Sequence, residues 1–189
     1  MGPRAQVCLS EECRVALNQI ASYELHVSDA YLSMACYYIE DTEAPNFLTF
    51  FQDQAEVKKE HAKQFIKYLR KYKCKVCLPV IKRPDIENWG IGKQAIECAL
   101  QLENTLNKLL QDLKALASKN KETSLSRFMK KFLDEQNRNI NYLEYQFRYH
   151  KELEKEAQSE GQGEKAAETS EASGAGWNLI KRNTTNAIY

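Results

Sequence analysis

The chain has 189 residues, 43% of them hydrophobic and 28% charged, and a net charge of +1. That length carries one domain with a sizeable core and room for a tail. The near-neutral balance gives no electrostatic reason to bind nucleic acid, and no apolar run reaches the length that crosses a bilayer.

The opening residues, Met1 to Gln6, hold no apolar stretch of a signal peptide and no Ser or Thr at position 6 for myristoylation. The expectation is a cytoplasmic protein, in which the Asn183-Thr184-Thr185 sequon is a chance match. The six cysteines are then free thiols. Cys74-Lys75-Val76-Cys77 has redox or half-zinc spacing, but no second such pair follows, so it reads as unpaired thiols in a connecting segment.

The first element is a helix that starts after Ser10, a good N-cap, with Glu11 and Glu12 on the positive end of its dipole. Val15, Ile20, Leu25, Ala30, Leu32 and Met34 carry it to about Tyr38. Asp41 to Ala44 is a short turn, and Pro45 suits the first position of a second helix. Phe47, Leu48, Phe51, Ala55, Ala62, Phe65, Ile66 and Leu69 form the apolar stripe of that helix, and Lys58 and His61 fall on it.

From about Tyr72 to Gly92 the helical period stops, and Pro79, Pro84, Gly90 and Gly92 punctuate the segment. A connection this long lets two successive helices of a bundle run parallel. A third helix is expected from about Lys93 to Ser118, burying Ile96, Leu100, Leu106, Leu110 and Leu113. A turn at Lys119 to Glu122 leads to a fourth, from about Ser124 into the 150s through Phe128, Phe132, Leu133, Ile140, Leu143 and Phe147. The expected fold is all-α, a four-helix bundle with one long crossover. Its domain covers residues 8–156, and a low-complexity, disordered tail covers 157–189, where large apolar groups are too few to offset ordering entropy. Trp177, Leu179 and Ile180 form a small apolar cluster within that tail.

One set of polar residues is shared among the four helices. Glu24 and Tyr31 lie seven apart on the first, Lys58 and His61 on the second, Glu103 on the third and Gln136 on the fourth. Four helices that each aim such a group at a common core are what a di-iron carboxylate bundle needs. The Glu-x-x-His unit of such a site is broken, because Lys58 stands three before His61. The plainer alternative is a buried ion-pair network, in which Lys58 neutralises carboxylates that otherwise need a metal. A unit charge about 4 Å from another repels it by about 4 kcal/mol at an effective dielectric of 20, and a dication roughly doubles this. Two-ion occupancy is therefore opposed. A single, weaker ion on Glu24 and His61 fits better, and carboxylate with imidazole suits Fe(II), Mn(II) or Zn(II) alike. His26 and His150 lie apart from this set, and the lysine-rich stretch from Lys58 to Lys75 reads as a solvated helix face.

Several motifs closely resemble animal ferritin heavy chains. They are Tyr31-Leu32-Ser33-Met34, Glu60-His61-Ala62, Ile81-Lys82-Arg83-Pro84-Asp85 with Trp89, Glu97-Cys98-Ala99-Leu100 and Leu133-Asp134-Glu135-Gln136. The likeness covers about residues 8 to 150. It implies a ferritin-like bundle, assembly into a hollow 24-subunit cage, alone or with other ferritin chains, and a role in handling ferrous and ferric iron. It also implies residue roles: Glu24 and His61 hold one iron, Glu103 holds the other, and Tyr31 and Gln136 support them from behind. The glutamate that bridges both irons in heavy chains is Lys58 here; light chains, which lack ferroxidase activity, resemble this chain at that position but not at His61, so the resemblance is to a divergent heavy chain. This implies impaired ferroxidase activity, with a slow ferroxidase or an iron-free interaction bundle as alternatives.

The mineral-nucleating glutamates match Val57, Glu60 and Lys63, which keep one acid. The carboxylates of the three-fold channel match Ser126 and Met129, or Arg127 and Lys130 when a one-residue gap is placed inside the helix. The family's short fifth helix has no recognisable counterpart in 157–189.

Overall fold

The computed structural model describes the backbone of residues 9–38, 45–82, 89–90 and 92–183, and the side chains of 9–38, 49–82, 89–90 and 92–156. Its elements are α1 (Glu11–Tyr37), α2 (Pro45–Lys71), α3 (Gly92–Lys119) and α4 (Thr123–Asn183). Among the described residues there is no strand, and no helix is long and apolar enough to cross a membrane. Two compact units divide the chain, Met1–Phe147 and Arg148–Tyr189.

The first unit is the expected four-helix bundle. Ser10 caps α1 through its hydroxyl, which accepts from the Cys13 N–H at 3.4 Å. Along α1 the buried positions are Cys13, Leu17, Ile20, Glu24, Val27, Tyr31, Met34 and Tyr38, alternately four and three apart. That spacing keeps one stripe facing inward over seven turns. The same rhythm recurs in α2 (Phe51, Ala55, Lys58, Ala62, Phe65, Leu69) and in α3 (Ala99, Glu103, Leu106, Leu110, Leu113, Ala117), and in α4 with one repeated four-residue step after Gln136 (Leu125, Met129, Phe132, Gln136, Ile140, Leu143). Two of the expected core residues lie outside the stripe: Val15 is 57% exposed and Leu32 is 52% exposed. Leu100 is half-buried. The Phe47 and Leu48 side chains and the 39–44 turn lie outside the described residues.

Cross-helix contacts fix the directions. Ser28 donates to the Ala55 carbonyl at 2.7 Å while Tyr31 stacks on Phe51, so α1 and α2 are antiparallel. Lys119 meets Glu12 at 3.3 Å while Tyr31 meets Glu103, so α1 and α3 are antiparallel. Lys131 bonds Gln64 while Gln136 bonds Lys58, so α2 and α4 are antiparallel too. Hence α2 and α3 run parallel, as the long crossover requires.

The crossover is tied along α1. The buried Asn18 amide donates to the Lys75 carbonyl at 3.2 Å and accepts from the Cys77 N–H at 2.7 Å. Ser22 bonds the Pro79 carbonyl. At the far end the Trp89 indole donates to Ser33 at 3.0 Å, and the Tyr38 hydroxyl donates to the Gly90 carbonyl at 2.9 Å. Gly90 has φ +67°, a backbone setting that a Cβ would strain. Residues 83–88, with Pro84, lie outside the described set. Both α2 and α3 end on a lysine in the left-handed region, Lys73 at φ 55° and Lys121 at φ 56°. The Cys74 N–H returns to the Leu69 carbonyl at 2.9 Å and the Glu122 N–H to the Ala117 carbonyl at 2.8 Å, the six-to-one closure of a Schellman motif.

The apolar core forms two clusters. One joins Leu17, Phe65, Leu110 and Met129, and the other joins Met34, Phe51, Ile96 and Leu143. Between them lie Glu24, Lys58, His61, Glu103 and Gln136, all buried.

The second unit, Arg148–Tyr189, includes the segment read as a low-complexity tail. The backbone of α4 continues as helix to Asn183, and no separate fifth helix occurs among the described residues. The compact bundle unit ends at Phe147. The side chains of Trp177, Leu179 and Ile180 lie outside the described set.

Candidate metal centre

The four-three rhythm brings each sequence-predicted site residue to the mid-height of the bundle. Glu24 and Tyr31 come from α1, Lys58 and His61 from α2, Glu103 from α3 and Gln136 from α4. The six do not form one cluster of equal members. They separate around two glutamates.

Glu103 is 0% exposed and is saturated with donors. Its Oε1 accepts from the Tyr31 hydroxyl at 2.6 Å and from the Asn139 amide at 2.6 Å. Its Oε2 accepts from the Lys58 ammonium at 2.7 Å and from the Gln136 amide at 2.5 Å. A carboxylate offers about four lone-pair positions, and all are taken. Lys58 is itself only 2% exposed and donates a further bond to Gln136 Oε1 at 3.1 Å. Burial, reinforced by the Glu103 charge, holds the Tyr31 phenol well above its ordinary pKa, so it stays protonated and keeps donating.

Glu24 is buried at 1% exposure, yet neither carboxylate oxygen has a hydrogen-bond partner among the described residues. His61 Nδ1 lies 3.4 Å from its Oε1 but is not aligned as a hydrogen bond. On its other side, His61 Nε2 lies 2.8 Å from Glu135 Oε2. When Nε2 carries the proton for Glu135, the Nδ1 lone pair faces Glu24. Two electron-rich groups then face each other across 3.4 Å, an arrangement that a cation placed between them would relieve. The His61 ring is held edge-on to Phe132, with centroids 5.0 Å apart.

This geometry is the test of whether the residues suit iron. Glu24 and His61 suit one hard or borderline divalent ion. Glu103 does not suit a second without displacing donors, and the Lys58 ammonium stands where its neutralising partner must be. Among the described residues no group of three His, Cys, Asp or Glu side chains is arranged as a metal site.

A cleft of about 650 Å³ opens between α2 and α4 onto this centre, lined among others by Phe50, Val57, Glu60, His61, Glu135 and Tyr142. Glu60 is the one acid left of the nucleating set, and Lys63 pairs with it at 3.1 Å. Burial also separates the two readings of the channel positions. Met129 is 0% exposed inside the core, whereas Arg127 and Lys130 are exposed. The outward pair is therefore basic.

His26 lies tilted against the Tyr23 ring, and the His150 ring lies edge-on to Tyr149. Cys13, Cys36, Cys74, Cys77 and Cys98 are free thiols, and Cys8 lies outside the described residues. Sequence reasoning missed Asn139 and Glu135 as members of the centre. The available signal was spacing: Asn139 lies one turn beyond Gln136 on the same face, and Glu135 precedes it.

Comparison with known proteins agrees with this picture. The family model described as "Ferritin-like domain" matches residues 15–160. "Soma ferritin" of Lymnaea stagnalis is 37% identical over 134 residues, covering 70% of this chain and 77% of that protein. "Ferritin, middle subunit" of Salmo salar is 36% identical over 127 residues, covering 66% and 72%. "Ferritin light chain, oocyte isoform" of Xenopus laevis is 35% identical over 128 residues, covering 67% and 72%. With a matching family model over most of its length and several such relatives, the chain belongs to the ferritin family.

Proposed function

We propose that this protein is a ferritin subunit that binds and stores intracellular iron as part of a multimeric cage, with the ferroxidase reaction impaired. Family membership supports the storage role in general. The observation that carries the finer reading is the Lys58–Glu103 ion pair, 2.7 Å long and 2% and 0% exposed. Iron is the cargo and substrate. Coupled oxidation of two ferrous ions by O₂ needs both held together, with carboxylates balancing their charge. Here the ammonium supplies that balance to Glu103 and leaves one place, at Glu24 and His61, for a single weakly held ion.

Iron then reaches the storage cavity of the cage mainly as ions oxidised elsewhere, by uncatalysed oxidation or by active chains in a mixed cage. The unpartnered Glu24 favours a second reading, a slow ferroxidase working through that single ion.

Purified protein given Fe(II) in air tests the proposal. The expected result is a large assembly that retains iron while oxidising it little faster than buffer, with Lys58→Glu raising the initial oxidation rate about ten-fold or more. Oxidation by the parent as fast as by Lys58→Glu would overturn the impairment. A monomer that retains no iron would overturn the storage role.

A further inference from the structure

Lys58 is not the only group that keeps Glu103 from a metal. Lys58→Glu removes one of four donors and frees part of Oε2 alone. Oε1 stays occupied by the Tyr31 hydroxyl and the Asn139 amide, each at 2.6 Å. These two donors differ from Gln136 in one respect. The Gln136 amide also donates to the Glu103 backbone carbonyl at 2.8 Å, so it keeps a partner when the carboxylate turns away. The Asn139 amide meets Oε1 at 2.6 Å beside the Tyr31 hydroxyl bond to the same atom.

Its position explains the reach. Asn139 is half-buried, one turn beyond Gln136, where α4 faces both the core and the cleft. An N–H dipole aimed at Oε1 from the cleft side takes the approach that a cation arriving through the cleft would use. It also points its positive end at that cation.

We propose that Asn139 is a second lock on Glu103, a positioning residue that fixes this carboxylate as a hydrogen-bond acceptor and withholds it as a metal ligand. The inference rests on the reading of Lys58 as the residue that closes the two-ion centre. Lys58→Glu alone then reopens the centre in part, and full reversal needs two substitutions. With Lys58→Glu alone, Glu103 remains turned towards α4 and the second ion is weakly held. With Asn139 also removed, Oε1 keeps only the Tyr31 hydroxyl and has a position free for a ligand bond.

The test is anaerobic Co(II) binding to the assembled full chain, read as ions per subunit by equilibrium dialysis and by the visible ligand-field absorption of Co(II). Four proteins are compared: the parent, Lys58→Glu, Asn139→Ala and the double variant. Occupancy of the first ion reports on Glu24 and His61, and so on the proposed function. Affinity for the second ion reports on Asn139. The expected result is a second Co(II) held about ten-fold tighter or more by the double variant than by Lys58→Glu, in the range that groups behind a ligand command. Asn139→Ala alone should bind as the parent does, because the Lys58 ammonium remains. Asn139→Leu, close in size and without a donor, should reproduce Asn139→Ala in the Lys58→Glu background, which separates loss of the donor from a packing defect. Second-ion affinities that agree within about two-fold between Lys58→Glu and both double variants would overturn the lock. So would the absence of a second ion from every variant. A first ion missing from the parent but present in Lys58→Glu, with the ten-fold gain intact, would sink the single-ion reading and leave the lock standing.

Discussion

Glu24 and Glu103 are the same residue type and almost equally buried, at 1% and 0% exposure. Glu103 accepts four hydrogen bonds, one from an ammonium. Glu24 accepts none among the described residues. Burial alone therefore does not say whether a core carboxylate is part of the scaffold or is available for chemistry. What decides it is the supply of donors. Glu103 has been absorbed into the packing of four helices, while Glu24 still has unmet need for a positive partner.

The contrast can be broken most severely at Lys58. Lys58→Ala leaves Glu103 as a buried charge that has lost its counter-ion, and should destabilise the bundle by about 3–5 kcal/mol. Urea unfolding of the parent and the variant under identical assembly conditions measures this, and a loss below about 1 kcal/mol would mean the pair is not structural. The opposite sign is expected on the other side. Glu24→Leu removes a buried carboxylate that nothing satisfies, and should stabilise the protein by about 1–2 kcal/mol while abolishing binding of the single Co(II). A destabilised Glu24→Leu would show that the carboxylate already has a partner.

Glu135 sharpens the comparison further, because it sets which nitrogen of His61 faces Glu24. Glu135→Gln keeps the shape and loses the charge, and should weaken the first Co(II) by up to about ten-fold with little change in unfolding midpoint. Equal affinity would mean that the 2.8 Å contact does not orient the ring. A smaller effect concerns how ions reach the available half. Exposed Arg127 and Lys130 repel cations, so iron uptake should be slow at low salt and faster as salt screens them, over a Debye length of about 10 Å at 0.1 M. Uptake that slows on adding salt would point to an acidic path elsewhere.

The smallest effect is a background on which the others sit. Partial burial lowers the pKa of His26 below its ordinary value, and that of His150 likewise. A histidine with a depressed native pKa binds fewer protons folded than unfolded. Stability is therefore full above the ordinary value of about 6.5 and declines as pH falls below it, towards the lower native value. Thermal midpoints at pH 7.5 and 5.5 should differ in that direction, and less so in His26→Gln.

The sequence carried the four helices, their order, the parallel α2 and α3 and every centre residue that lies on a stripe. Those features follow from the spacing of apolar residues, which is local information. Val15 and Leu32 misled because hydrophobicity was read without phase: the inward set at Cys13, Leu17, Ile20 and Glu24 contains polar members and skips both. Asn139 and Glu135 stayed hidden for another reason. A polar residue on a bundle helix is ordinarily a solvated one, and only the cross-helix distances to Glu103 and His61 reveal otherwise.

The polar layer between the two apolar clusters has a consequence for how the chain finds its register. All four helices repeat every seven residues, so a helix that slides along its neighbours by one repeat still presents apolar groups to apolar groups. Sliding α2 by seven residues, however, would carry Lys58 to the height of Phe51 or Phe65, into one of the two clusters and away from Glu103. An unpaired ammonium there costs several kcal/mol. The ion pair thus serves as a key that admits one alignment of the helices, much as a single buried asparagine does in a coiled coil. Replacing Lys58, Glu103 and Gln136 together with leucine or methionine would show it as a bundle that is more stable yet no longer settles on a single packing.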